Sequence, residues 1–127
     1  MSEPLIFVFH VTLKEGTFDD YSSYAGELIE FIESNEPRLL AVEVYANDEG
    51  TEVSHVFIHP DAESEDFHAE VAAEKVKEGG QYYAGLAVDV YGRPSDAVLQ
   101  QLKQLADSGV PVRVHTRHLG GFRRPPA

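Results

Sequence analysis

The chain has 127 residues and a net charge of −12, from 10 basic and 22 acidic side chains. That length suits one domain with a self-sufficient core, and the acidic surface argues against nucleic acid and anionic membranes as partners. It has no cysteine, which excludes disulfides and thiolate metal sites and suits a reducing, cytoplasmic setting.

The charge is unevenly placed. All 22 acids lie at or before Asp107, whereas Arg113, Arg117, Arg123 and Arg124 follow it. The simple reading is that this basic tail lies against the acidic body or a second copy of it; the sharper one is an anion site.

Residues 4–13, PLIFVFHVTL, form an apolar, aromatic and β-branched run. It lacks a signal peptide's basic flank and is too short to span a bilayer, so it predicts a strand buried on both faces. Thr17 and Asp20 have the spacing of a capping box. Tyr21, Ala25, Leu28 and Ile32 then recur at helical spacing, widened by Tyr24, Ile29 and Phe31, until Asn35 and Pro37. RLLAVEVYANDEGTEVSHVFIHP predicts two strands around a turn at NDEG. In the first, Leu40, Val42 and Val44 share a face opposite Ala41, Glu43 and Tyr45. In the second, Val53, His55, Phe57 and His59 lie opposite Ser54, Val56 and Ile58.

A second helix is expected from Asp61 to Glu78, ended by Gly79 and Gly80. Its start holds Asp61, Glu63, Glu65 and Asp66, where the helix dipole favours negative charge without any catalytic role. Its inward stripe is expected to contain Phe67, His68, Val71, Ala72 and Val76. AGLAVDVYG predicts a fourth strand. Ser95 caps a third helix carrying Val98, Leu99, Leu102, Leu105 and Ala106, which Gly109 ends. VPVRVHTRH predicts a fifth strand, and LGGFRRPPA a flexible tail.

The order β-α-β-β-α-β is an α+β, ferredoxin-like pattern: an antiparallel sheet with helices on one face, followed by a helix and a strand. One domain over 1–127 is expected, with a core at 4–92, an extension at 93–118 and a basic tail at 119–127. Helices cover one sheet face only. The other is apolar enough to predict a homodimer joined through its sheets.

Within this pattern, VTLKEGTFDDY, FIHPDAESEDFHAEV and GLAVDVYG resemble the dimeric α/β-barrel superfamily, most closely the antibiotic-biosynthesis-monooxygenase type. The resemblance covers 4–92. It implies a pocket between sheet and helices and cofactor-independent oxygenation of a small aromatic or quinol-like molecule. Haem degraders of the superfamily use an asparagine, a tryptophan and a histidine; this chain has no tryptophan, which speaks against that activity. A non-catalytic, metabolite-binding dimer is the alternative.

Among the six histidines, His55 and His59 stand four residues apart on one strand, about 13 Å, too far to share a metal ion. No metal and no cofactor are expected. His68 points into the space where the resemblance places the pocket, and an imidazole there can act as a general base. His68 is therefore the candidate catalytic residue. His10, Tyr45, His55, Phe57 and Tyr83 are candidate ligand-binding residues, able to line a site for a flat ring; strand parity leaves open which face meets the helices. No P-loop, GxGxxG or nucleophile elbow is present.

Overall fold

A computed structural model describes residues 3–124. Its strands are β1 (Leu5–Leu13), β2 (Ala41–Ala46), β3 (Glu52–His59), β4 (Tyr83–Tyr91) and β5 (Val112–His115), and its helices are α1 (Phe18–Asn35), α2 (Ala62–Val71), α3 (Ala73–Gly79) and α4 (Asp96–Asp107). They build one open sheet in the order β2-β3-β1-β4-β5. The first four strands pair antiparallel, and β5 joins the edge parallel to β4, with Asp89 opposite Arg113. A parallel neighbour needs a crossover connection, which α4 supplies. The extension therefore widens its own sheet, a choice the sequence leaves open.

Register decides which side chains meet the helices. Phe7 faces Phe57 on β3 and Val90 on β4 across β1. Leu5, Phe7, Val11, Val53, Phe57, Val88 and Val90 are all buried with Tyr21, Leu28 and Ile32 of α1 and Val98 and Leu102 of α4. The alternate residues of β1 fare differently: Ile6 and Val8 are half-buried, His10 and Thr12 exposed. In the single chain, β1 is thus covered on one face only, contrary to the expected burial of both. The sheet is not closed, so no barrel forms within one chain.

Three local expectations are corrected. Thr17 makes no side-chain cap to α1; its hydroxyl donates to the Lys14 carbonyl at 2.7 Å. The second helix is two, broken at Ala72, where ψ is 1° and the helical dihedrals are interrupted. Its inward stripe is also rotated. Ser64, Glu65, His68 and Ala72 are buried, while Phe67 and Val76 are exposed. Polar partners across the core, Glu36 and His59, outweigh the apolar side chains in orienting α2, because a buried polar group is tolerated only when it is bonded.

Ser95 does cap α4, accepting from the Val98 N–H at 3.2 Å. The NDEG turn is closed by Asn47, whose side-chain oxygen accepts from the Thr51 and Glu52 N–H groups at 2.9 and 3.0 Å. Gly79 has no room for a side chain: a Cβ there would lie 2.7 Å from the Tyr24 hydroxyl, which donates to the Lys75 carbonyl and docks α3 on α1.

Candidate functional site

The sheet–helix layer contains a row of polar and aromatic rings instead of a purely aliphatic core. Its spine is the helix-facing side of β3. His55, Phe57 and His59 alternate along the strand and are all buried. At one end Tyr21 of α1 donates its hydroxyl to His55 Nε2 at 2.6 Å. Burial lowers His55 to about 4, because an imidazolium loses its hydration there. His55 is therefore neutral at pH 7 and accepts that bond. Burial first, and then neighbouring Tyr83, pushes the Tyr21 phenol up, so the pair keeps its protons in place.

The His55 ring stacks on Phe57, with centroids 6.3 Å apart and planes 6° apart. The Phe57 ring meets His68 at 5.0 Å, and His59 lies 5.7 Å from the same imidazole.

His68 comes from α2, where spacing of three and four residues places Ser64, Glu65 and His68 on one side. Its Nδ1 lies 2.9 Å from each oxygen of Glu36. Both residues are buried, at 8% and 4% exposure. A carboxylate held against Nδ1 fixes the ring and its tautomer: Nδ1–H donates and Nε2 keeps its lone pair. Among the described residues Nε2 has no hydrogen-bond partner. It is also not sealed, since His59 Nε2 is the sole buried side-chain polar atom that is both enclosed and unpartnered among the described residues. A carboxylate-oriented imidazole with a free second nitrogen is the arrangement of a general base.

His59 is held differently. Its Nδ1 is 2.8 Å from the Ser64 hydroxyl. Its Nε2 is 3.2 Å from Glu65, but without the alignment of a hydrogen bond. Among the described residues, no group of three or more His, Asp or Glu side chains is arranged to hold a metal ion.

The structure thus brings His68, Phe57 and His55 together, with Tyr83 alongside Tyr21, 6.2 Å between ring centroids. It does not bring His10 or Tyr45 to them. Both stand on the open face, because their strand parity is opposite to that of Phe7 and Val44. They line a hollow of about 400 Å³ at the β2–β3 hairpin end. A second hollow, about 270 Å³, lies between the end of α1 and β2 and is lined by Ile32, Glu36 and Pro37 among others. Glu36 borders this hollow, but its side chain is only 1% exposed; His68 itself lines neither hollow.

Sequence reasoning missed Glu36, Glu65 and Asp89. Glu36 is readable in principle: it continues the α1 stripe of Tyr21, Ala25, Leu28 and Ile32 by one further step of four. Glu65 is no solvated decoration of a helix start, being 7% exposed and turned to His59. Of its acidic neighbours, Asp61 accepts from the Ser64 N–H at 3.0 Å and pairs with Arg38. Asp66 accepts from the Ser95 hydroxyl at 2.7 Å. Asp89 is the single acid in an apolar strand.

No family model matches the chain, and no curated protein matches it. Solved structures do. MupZ from Pseudomonas fluorescens superposes with a TM-score of 0.70 at 18% identity, covering 98% of this chain and 97% of MupZ. An antibiotic biosynthesis monooxygenase matches at 0.61 and 18%, covering 72% of this chain and 99% of its own. A single-residue variant of SnoaB, a cofactor-independent oxygenase from Streptomyces nogalater, matches at 0.61 and 9%, covering 74% and 96%.

The fold is therefore the one these solved structures share, an α+β, ferredoxin-like sheet with helices packed on one face. The coverage also separates the neighbours: MupZ aligns over 98% of this chain, and the other two over 72% and 74%.

Proposed function

We propose that the chain is a cofactor-free, monooxygenase-like protein acting on a small aromatic or quinol-like molecule. One observation carries this reading: the buried Glu36–His68 pair, which orients an imidazole in the sheet–helix layer and leaves Nε2 free. The fold shared with SnoaB supports it. In the proposed step His68 Nε2 removes a proton from an electron-rich phenol; the resulting carbanion bonds to dioxygen, and the O–O bond of the hydroperoxide breaks to leave a ring carbonyl and release the second oxygen as water, all electrons coming from the substrate. Phe57, His55 and Tyr83 supply the aromatic and polar surroundings.

A thermal-shift screen of hydroxylated aromatics is expected to stabilise the wild-type protein, and oxygen uptake to disappear in His68→Ala. If no aromatic shifts the wild type, or if His68→Ala turns over normally, the assignment is wrong. The packing supports a second reading, a binder without turnover: Phe57, His55 and His59 fill the layer beside His68, so a small molecule held in either hollow would not meet that ring.

We further propose that two copies associate through the open sheet face. Ile6, Val8, Ala41, Val56 and Ile58 share that face and are only half-buried in the single chain, an apolar area that a two-fold partner would cover. Light scattering is expected to give twice the chain mass at micromolar concentration, and a monomer there contradicts the proposal.

A further inference from the structure

The helix that carries His68 is built inside out. Ser64, Glu65 and His68 of α2 face the core, while Phe67 is exposed and Val71 half-buried. No residue of α2 belongs to the buried apolar cluster, and only Ala62, in its first turn, packs against that cluster. Polar contacts hold the helix down instead. The Ser64 hydroxyl lies 2.8 Å from His59 Nδ1, Glu65 lies 3.2 Å from His59 Nε2, and His68 Nδ1 lies 2.9 Å from Glu36. Asp66 accepts from the Ser95 hydroxyl at 2.7 Å. Each such bond is exchanged for one to water when the helix lifts, so its net hold is small. A helix with an apolar inner face would resist by its whole buried area. Segments with few buried apolar contacts are the ones that open locally.

The neighbours of α2 are fixed. Tyr24 and the close approach of Gly79 dock α3 on α1, and β3 is paired on both edges, to β1 and β2. A joint lies at each end of α2. Asp61, after Pro60, is fully extended at φ −166° and ψ 178°, and Ala72 interrupts the helical dihedrals. Beneath the helix is a surface of rings. Phe57 lies 5.0 Å from the His68 ring, Phe9 5.7 Å from Phe57, and Phe7 5.9 Å from Phe9. With α2 down, the His68 side chain is 10% exposed and lines neither hollow, which leaves no room for an aromatic ring at Nε2.

We propose that α2 is a gate: it swings off β3 about Pro60–Asp61 and Ala72, admits a flat aromatic molecule onto Phe57, and on closing re-forms the Glu36–His68 pair over the bound ring. This rests on the oxygenase reading of His68 and adds how a substrate reaches it. Opening carries His68 away from Glu36, so the base is oriented only when the gate is shut. Closing therefore completes the site and excludes water from it in one movement.

The chain has no cysteine, so a single introduced thiol reports the gate without any ligand. Ser64→Cys puts a thiol beneath α2, and Val11→Cys puts one in the apolar core. Under native conditions dithiobis(nitrobenzoate) is expected to modify Ser64→Cys on the order of 10²-fold faster than Val11→Cys, because local opening costs less than global unfolding. A cavity at Val11 can only narrow that difference. Equal rates would overturn the gate whatever an aromatic screen shows. A second variant, Asp66→Cys with Ser95→Cys, ties α2 to the start of α4 by a disulfide where the two side chains already touch. Its oxidised form is expected to lose the thermal shift with hydroxylated aromatics and the oxygen uptake, and its reduced form to regain both; the lost Ser95 cap is common to the two forms. Equal shift and uptake in both forms would also overturn the proposal. Fast labelling of Ser64→Cys with no aromatic shift in either form supports the gate and removes the oxygenase reading.

Discussion

Replacing Glu36 with alanine is expected to lower the unfolding free energy by about 3–5 kcal/mol, measured by urea titration at pH 7. Glu36 is 4% exposed, and its carboxylate bonds His68 Nδ1 through both oxygens. Removing it strands a polar ring in the core with no substitute partner, and an unpaired buried group costs its full desolvation. The double variant Glu36→Leu, His68→Leu removes both partners and is expected to recover most of the loss, because a packed apolar pair replaces a buried polar one at little or no net cost. A single-variant loss below about 1 kcal/mol would contradict the enclosed pair. Recovery in the double variant would show that the fold does not need the pair, which sharpens the case that it serves chemistry.

His55 predicts the second large effect, on the pH dependence of stability. Burial lowers its pKa from 6.5 to about 4. In the unfolded chain it takes up a proton below pH 6.5, which the folded chain refuses until about pH 4. The unfolded state therefore binds more protons across that window, and stability rises with pH there. The contribution is fully present above pH 6.5 and is lost as pH falls through the window. Its size is about 3 kcal/mol, because a tenfold change in proton affinity is worth roughly 1.4 kcal/mol. Unfolding curves at about pH 7 and about pH 4.5 are expected to show the loss in wild type and a shallower one in His55→Phe. An equal slope in both would show that His55 is not the group responsible.

Much of the architecture can be read from short-range pattern. The stripe of α1, the Ser95 cap, the NDEG turn and the split of β2 and β3 into two faces depend on spacing of two or of three to four residues, which a chain displays directly. The α2 stripe misleads for the converse reason. Apolar spacing points Phe67 inward, yet Phe67 is 45% exposed while Glu65 is buried. No local rule shows that His59 and Glu36 wait across the core to meet Ser64, Glu65 and His68. The candidate site divides in the same way. His68 is identifiable as an inward imidazole, whereas its partner Glu36 lies 32 residues away.

The sequence by itself determined the order of the elements, apart from the break in the second helix, together with the ferredoxin-like class and the inward position of His68, because these rest on periodicity. Tertiary structure alone decided that His10 and Tyr45 face away from His68, that β5 lies parallel beside β4, and that a buried aspartate joins His10 to Arg113. Those outcomes depend on strand register and on side chains 24 to 79 residues apart. A period of two puts His10 on one face of β1 but does not say which face the helices will cover. Only the packing of α1 and α4 over Phe7, Val11 and Val90 settles that.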